Sequence, residues 1–282
     1  MKVVVTGATG FLGQAVVAAL KELGPEGADA IDAIDVVPVS RVPTPGFHLV
    51  SDYGETPDAD VLVHLAEDPD RARANAAGKA YETSSVAVMK ALLSKGYDRI
   101  VYASSCVLYS DEDPTRRVPD SPVHVTDSYT RIKRSFELEL LEHGKGVTAR
   151  LANLYGPRMS KANVISDILK QVPGEGPLQI RDGAPIRDFL WIDDAALGIA
   201  KMALGKETGV FNLGSGRGIS IADLARVALD ICGQRERVVE SVRPPGRLSS
   251  LILDVSETSR VWEWQPAVSL ERGLRKMIEA KM

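Results

Sequence analysis

Short β-branched apolar runs alternate along this chain with stretches whose apolar residues recur every three or four positions. Lys2–Thr6, Phe47–Val50, Asp60–Ala66, Arg99–Ala103, Val147–Leu154 and Arg187–Ile192 read as strands, and Ala30–Val37 as another that ends its apolar part at Asp35. Gln14–Leu23, Ala80–Lys95, Ser128–His143, Asn163–Val172, Asp193–Leu204 and Ile221–Ile231 read as helices. Ser220 is suited to cap the last of these, and a final amphipathic helix opens at Ser269. Pro38–Pro45 and the polar segment Glu67–Gly78 read as loops. Strands and helices that alternate over short turns predict an α/β fold with a doubly wound parallel sheet of the Rossmann type. The rhythm changes near Pro157. One domain is therefore expected over 1–157, rejoined by 186–213, with a smaller C-terminal substrate lobe built from 158–185 and 214–282.

The first βα turn carries candidate chemistry. Gly7-Ala8-Thr9-Gly10-Phe11-Leu12-Gly13 joins a strand to a helix. Gly7 suits a tight turn with positive φ. Gly10 lets a pyrophosphate approach the backbone, and Gly13 lets helix and strand pack closely. The free N–H groups of the helix start would face that anion. The spacing is G-x-x-G-x-x-G, and an acidic residue is expected further on to hold the adenosine ribose. Asp35 is the stronger candidate and Asp32 the weaker. A carboxylate at Asp35 would repel a 2′-phosphate, which favours NAD over NADP, although Arg41 lies nearby.

Bulk properties narrow the classes. The 282 residues are 44% apolar and 26% charged, as in an ordinary globular protein, and can bury a substantial core. A net charge of −4 argues against wholesale nucleic-acid binding. No apolar run approaches the ~18 residues of a spanning helix, so no membrane partner is expected. The first strand starts at Lys2, so no signal peptide is expected, and two cysteines, Cys106 and Cys232, fit a reducing cytoplasm. His48, His64, His124 and His143 show no metal-ligand spacing, so no metal is expected.

A second constellation follows the glycine turn. Arg99–Ala103 delivers Ser104, Ser105 and Cys106 to a strand's carboxyl end, where open α/β sheets bind ligands. Tyr129 and Lys133, four apart, share a helix face about one turn (~6 Å) apart. Lys133 and an oxidised nicotinamide would favour the phenolate of Tyr129. Such a tyrosine can take a proton from a sugar hydroxyl as hydride leaves the same carbon. Ser105 could orient the reacting oxygen, and Lys133 could also hold the cofactor ribose.

Together, Thr6–Gly13, Asp35, His64-Leu65-Ala66, Ser104-Ser105, Tyr129-x-x-x-Lys133, Asn153-x-Tyr155-Gly156-Pro157 and Arg187-Asp188-Phe189 resemble the extended short-chain dehydrogenase/reductase family. The likeness is to its NAD-dependent epimerase/dehydratase group, which works on nucleotide sugars. It implies cofactor contacts at Gly7, Gly10, Phe11, Leu12, Asp35, Leu65, Ala66, Ser104, Tyr129 and Lys133, with Asp52 at the adenine amino group. It implies substrate contacts at Ser105, at Asn153 near the sugar–phosphate link, and at Arg187 and Arg243 on the diphosphate. Ser105, Tyr129 and Lys133 become the catalytic set, and helices 80–95 and 128–143 the interface of a homodimer.

Departures from the family pattern bear on the reaction. Cys106-Val107 stands where the dehydratases carry Asp-Glu, which disfavours elimination. The Asn-x-x-Gly-Thr expected before Ser105 reads Tyr81-Glu82-Thr83-Ser84-Ser85. The stretch Glu67–Gly78 looks shortened, Arg247 replaces a residue that is often Asp, and Cys106 reads as an apolar filler. The expected activity is a nucleotide-sugar epimerase acting through a transient keto sugar. The alternatives are an NAD(P)H-dependent reductase of a nucleotide-linked 4-keto sugar and a non-catalytic dinucleotide sensor.

Overall fold

A computed structural model describes residues 1–24, 34–68, 70–244 and 246–281. In chain order the first part comprises β1 (Lys2–Thr6), α1 (Phe11–Leu23), β2 (Asp35–Ser40), β3 (His48–Leu49), β4 (Val61–His64), α2 (Arg71–Ala77) and α3 (Lys79–Leu93). It continues through β5 (Arg99–Ser105), α4 (Ser128–His143), β6 (Gly146–Leu151) and β7 (Asn153–Tyr155). The second part comprises α5 (Val164–Leu169), β8 (Leu178–Ile180), β9 (Ile186–Trp191), α6 (Ile192–Leu204), β10 (Gly209–Leu213) and β11 (Gly218–Ser220). It ends with α7 (Ile221–Ile231), β12 (Val239–Ser241), β13 (Ser250–Leu251), α8 (Ser256–Trp262) and α9 (Leu270–Glu279).

Seven strands form the central sheet in the order β10-β6-β5-β4-β1-β2-β3, each pair parallel. The fold is thus the doubly wound α/β one. Val3 and Val5 of β1 enter the core beneath α1 and α6, whereas Val4 enters the core beneath α3 and α4. Burial on both faces explains the unbroken valine run, since an alternating strand would put polar groups into one of the cores. The chain leaves β1 toward β2 on one side and returns to β4 on the other. That reversal opens a crevice at the carboxyl ends, the position where such sheets take ligands.

The run 147–154, expected as one strand, is divided between two sheets. β6 stays in the central sheet, while Asn153 of β7 pairs with Phe189 of β9. β9 also pairs with β11 and β13, and β8 with β12. These elements close over a separate apolar cluster that includes Ile168, Leu178, Trp191, Leu224 and Leu274. β10 returns to the central sheet beside β6.

Segment 71–77, expected as loop, is a helix. Asp70 caps it by accepting from the N–H groups of Ala72 and Arg73, and its alanines favour helix. Short length and charge conceal it from a periodicity reading. No described helix is long and apolar enough to cross a membrane.

Candidate active site

The glycine turn is built for close approach. Gly7 has φ +68°, and a Cβ there would stand 2.8 Å from the Leu65 carbonyl carbon and 2.9 Å from the Ala66 nitrogen. A Cβ on Gly13 would fall 2.1 Å from the Gly7 oxygen. Leu65 and Ala66, at the end of β4, therefore lie directly against the turn. Gly10 caps α1 without a side chain, and neither Phe11 nor Leu12 is followed by an acidic residue in the first turn. The start of α1 keeps its N–H groups and positive dipole end for an anion.

Asp35 is not at this edge. It opens β2, opposite Lys2, and its N–H reaches the Met1 carbonyl at 2.9 Å. Five residues of strand put it about 16 Å from the carboxyl end. The strand runs on through Pro38, which pairs with Val5, to Val39 and Ser40. β3 pairs with Val39 and Ser40, so on that side no described strand meets Pro38 and its missing N–H. Ser40 and Arg41 occupy the edge position, and the Arg41 guanidinium lies 4.8 Å from the Tyr53 ring centroid. The carboxylate that favoured NAD over NADP is thus at the wrong end of its strand. Asp32 lies outside the described residues. Asp52 sits in the loop after β3, where its Oδ1 accepts from the Gly54 N–H at 2.8 Å.

α4 brings Tyr129 and Lys133 to the crevice. Asp127 caps it through a capping box with Thr130. α2 fastens that end: Asn75 Oδ1 accepts from the Tyr129 N–H at 2.9 Å, and Arg71 bridges to Asp127 at 2.6 Å. Asn75 and Arg71 escaped the sequence reading because their helix did. Tyr129 is buried, and the Lys133 ammonium stands 5.6 Å from its ring centroid. Lys133 donates to the Ala103 carbonyl at 2.7 Å, two residues before Ser105 along β5.

Lys133 is not a lone cation. Glu67 Oε2 lies 2.5 Å from its Nζ, with both side chains 7% exposed. Tyr102 donates to the same carboxylate at 2.8 Å. Burial opposes the charge on Lys133, but Glu67 and Tyr129 outweigh it and hold the ammonium above its ordinary pKa. What faces Tyr129 is therefore a paired ammonium, whose field falls off faster than that of a lone charge.

Ser104 and Ser105 part company. Ser105 Oγ accepts from the Val107 N–H at 3.4 Å. Ser104 faces the other way and donates to Glu137 Oε1 at 2.6 Å in a buried network with Arg150. Its hydroxyl, expected on the cofactor, is engaged in the core. His64 also belongs to the core: Nδ1 is 2.8 Å from Thr6 Oγ1, its ring stacks on Phe136, and burial lowers its pKa to about 4. Cys106 is buried, which pushes its thiol up to about 12 and leaves it as apolar filling.

Beyond Ser105 lies a cavity of about 310 Å³, lined by residues that include Asn153, Arg187, Asp111, Arg247, Tyr109 and His124. Asn153 Nδ2 donates to the Asp188 carbonyl at 3.0 Å. Asp111 sits between two arginines, 3.2 Å from Arg187 and 2.8 Å from Arg247. Arg243, expected here, does not line the cavity; it is exposed after β12, its N–H on the Arg181 carbonyl. Arg247 supplies the second guanidinium instead. Asp111 was missed because its segment reads only as a charged loop.

The residues fit a dinucleotide. The turn at Gly7 and Gly13 leaves no room for a Cβ, and Glu67 Oε1 is buried without a hydrogen-bond partner among the described residues. Such a group normally finds a partner. The model of the NAD-dependent epimerase/dehydratase family matches residues 3–214, and the chain belongs to that family. UDP-glucuronic acid decarboxylase 2 of Arabidopsis thaliana is 26% identical, the alignment covering 99% of this chain and 68% of the relative. Two solved structures share the fold. UDP-glucose 4-epimerase of Thermotoga maritima, with UDP-glucose, has TM-score 0.81 and 23% identity over 99% of this chain and 98% of the other. UDP-glucuronic acid 4-epimerase of Bacillus cereus, with a fluorinated UDP-sugar and NAD, has TM-score 0.79 and 23% identity over the whole of both chains.

Proposed function

We propose that this protein is an NAD-dependent nucleotide-sugar epimerase. One observation carries the reading: Tyr129 and Lys133 stand at the sheet's carboxyl edge with Ser105, between a glycine turn without room for side chains and a cavity holding two arginines.

When bound, the nicotinamide supplies a reversible hydride acceptor. Tyr129 Oη removes the proton of the sugar hydroxyl and later returns it. Ser105 Oγ donates to the reacting oxygen and keeps it in line with Tyr129. Lys133, tied to the Ala103 carbonyl, holds the nicotinamide-side ribose. Arg187 and Arg247 hold the substrate diphosphate by charge-assisted hydrogen bonds, displacing Asp111 from one or both. Asn153 orients the sugar-proximal phosphate. The lobe that includes β8, β9 and α7 receives the nucleotide.

The test incubates purified protein with UDP-, GDP-, dTDP- and CDP-sugars, UDP-glucuronic acid included. An epimerase equilibrates two epimers without added reductant. Stoichiometric oxidation of NADH or NADPH with a keto sugar would install the reductase reading, and CO2 release from UDP-glucuronic acid a decarboxylase. Tyr129→Phe without effect on any activity would favour the sensor.

Exposed Leu138 and Leu141 on α4 support pairing of two copies through α3 and α4. Light scattering should give twice the chain mass, and Leu138→Asp with Leu141→Asp should halve it.

A further inference from the structure

We propose that Glu67 is a positioning residue of the cofactor site, forming with Lys133 a donor–acceptor pair that grips the two vicinal hydroxyls of the nicotinamide-side ribose. The proposal rests on the dinucleotide reading above and assigns a residue that its motifs leave out.

Lys133 and Glu67 keep unused hydrogen-bonding capacity. A lysine ammonium has three donors. Two of those on Lys133 go to the Ala103 carbonyl and to Glu67 Oε2. One is left. A carboxylate has two oxygens, and Oε2 takes both Lys133 and the Tyr102 hydroxyl. Among the described residues Oε1 takes nothing, although it is buried. The pair thus offers one donor and one acceptor side by side. A cis-diol matches this, because each hydroxyl can donate and accept: one donates to Oε1 while its neighbour accepts from Nζ.

Position agrees with this. Glu67 follows Leu65 and Ala66, which press against the glycine turn, and its partner Lys133 lies one helical turn from Tyr129. Glu67 therefore bridges the part of the crevice expected to hold pyrophosphate and the part expected to hold the reacting atoms. A buried carboxylate with an unsatisfied oxygen is costly if it only decorates the core. A ligand hydroxyl removes that cost.

Three ligands separate this role from a structural one. ADP has the adenosine half alone, ADP-ribose adds the distal ribose, and NAD+ adds the nicotinamide. Their dissociation constants are measured by calorimetry on the full chain for wild type and Glu67→Gln, with melting curves to verify folding. The expected result is a loss of about tenfold or more for ADP-ribose and NAD+, since a hydrogen bond to a charged group is lost, with ADP within about twofold. If Glu67→Gln does not fold, Glu67→Asp, which keeps the charge but draws it back, gives the same split. Equal losses for all three ligands, or none, would overturn the proposal. Wild type that binds ADP-ribose and NAD+ no better than ADP would overturn it as well. Wild type that binds none of the three would overturn the dinucleotide reading beneath it.

Discussion

Arg150 holds Glu137 with two parallel hydrogen bonds, Nε to Oε1 at 2.9 Å and Nη2 to Oε2 at 2.7 Å. Neither residue is exposed by more than 1%. Ser104 joins at Oε1, and Tyr109 receives the other guanidinium nitrogen at 2.8 Å and passes a hydrogen bond to Asn212. The network ties β5, α4, β6 and β10 together below the sheet's carboxyl edge. Removing one member strands a buried charge. Glu137→Ala is expected to lower unfolding free energy by about 3–5 kcal/mol, read by urea denaturation. Glu137→Leu with Arg150→Met should recover most of that loss.

His64 gives the protein an acid-side dependence. Its folded pKa is about 4, against 6.5 for the ordinary ring, because burial disfavours the cation. Between those values the unfolded chain binds the proton and the folded one does not, so stability falls as pH drops from 6.5 to about 4. The loss from this group approaches about 3 kcal/mol. His64→Asn should flatten that part of the stability–pH curve. An unchanged slope would mean that another group titrates there.

Among the described residues, no carboxylate stands at the carboxyl end of β2, where Ser40 and Arg41 lie. Asp35→Asn should leave NAD+ affinity within about twofold, because the side chain lies about 16 Å from that edge. Nothing at Ser40 or Arg41 repels a 2′-phosphate, so NADP+ is expected to compete with NAD+ for the site. Arg41→Ala should weaken NADP+ by about tenfold and NAD+ little, as expected for loss of a charge-assisted contact.

The three arginines should separate in nucleotide binding. Arg187→Ala and Arg247→Ala each remove a cavity guanidinium and should weaken UDP, or whichever nucleoside diphosphate the protein selects, by about 10- to 100-fold. Arg243→Ala should have no effect. Asp111→Asn frees both arginines and should tighten the same ligand.

Much of this was legible in the chain. β1, the glycine turn and α1 follow from one valine run, three glycines and a helical repeat, since each local preference agrees with the fold. The helix expected from Ser128 to about His143 spans those residues, with Asp127 and Gly144 capping its ends. The failures have distinct causes. Asp35 was misplaced because Pro38 suggests a loop, and only pairing with β1 reveals that the strand continues through it. Ser104 and Ser105 are equivalent in sequence, and the pleat alone turns one into the core. Arg243 and Arg247 are four apart in a segment whose path is set by β13 rather than by local pattern. Glu67 carries no periodic or motif signal, and its meaning arises only when α4 sets Lys133 beside it.

Tyr129 is proposed to exchange a substrate proton while the cofactor is recycled on the protein. The direct measurement follows epimer interconversion of the accepted nucleotide sugar by wild type and Tyr129→Phe, with bound dinucleotide quantified in both. Wild type should equilibrate the epimers without added NADH or NADPH. Tyr129→Phe should keep its dinucleotide and lose about 100-fold or more in rate, the scale of a general-base contribution. Interconversion at the wild-type rate by Tyr129→Phe, dinucleotide bound, would rule out this role for Tyr129.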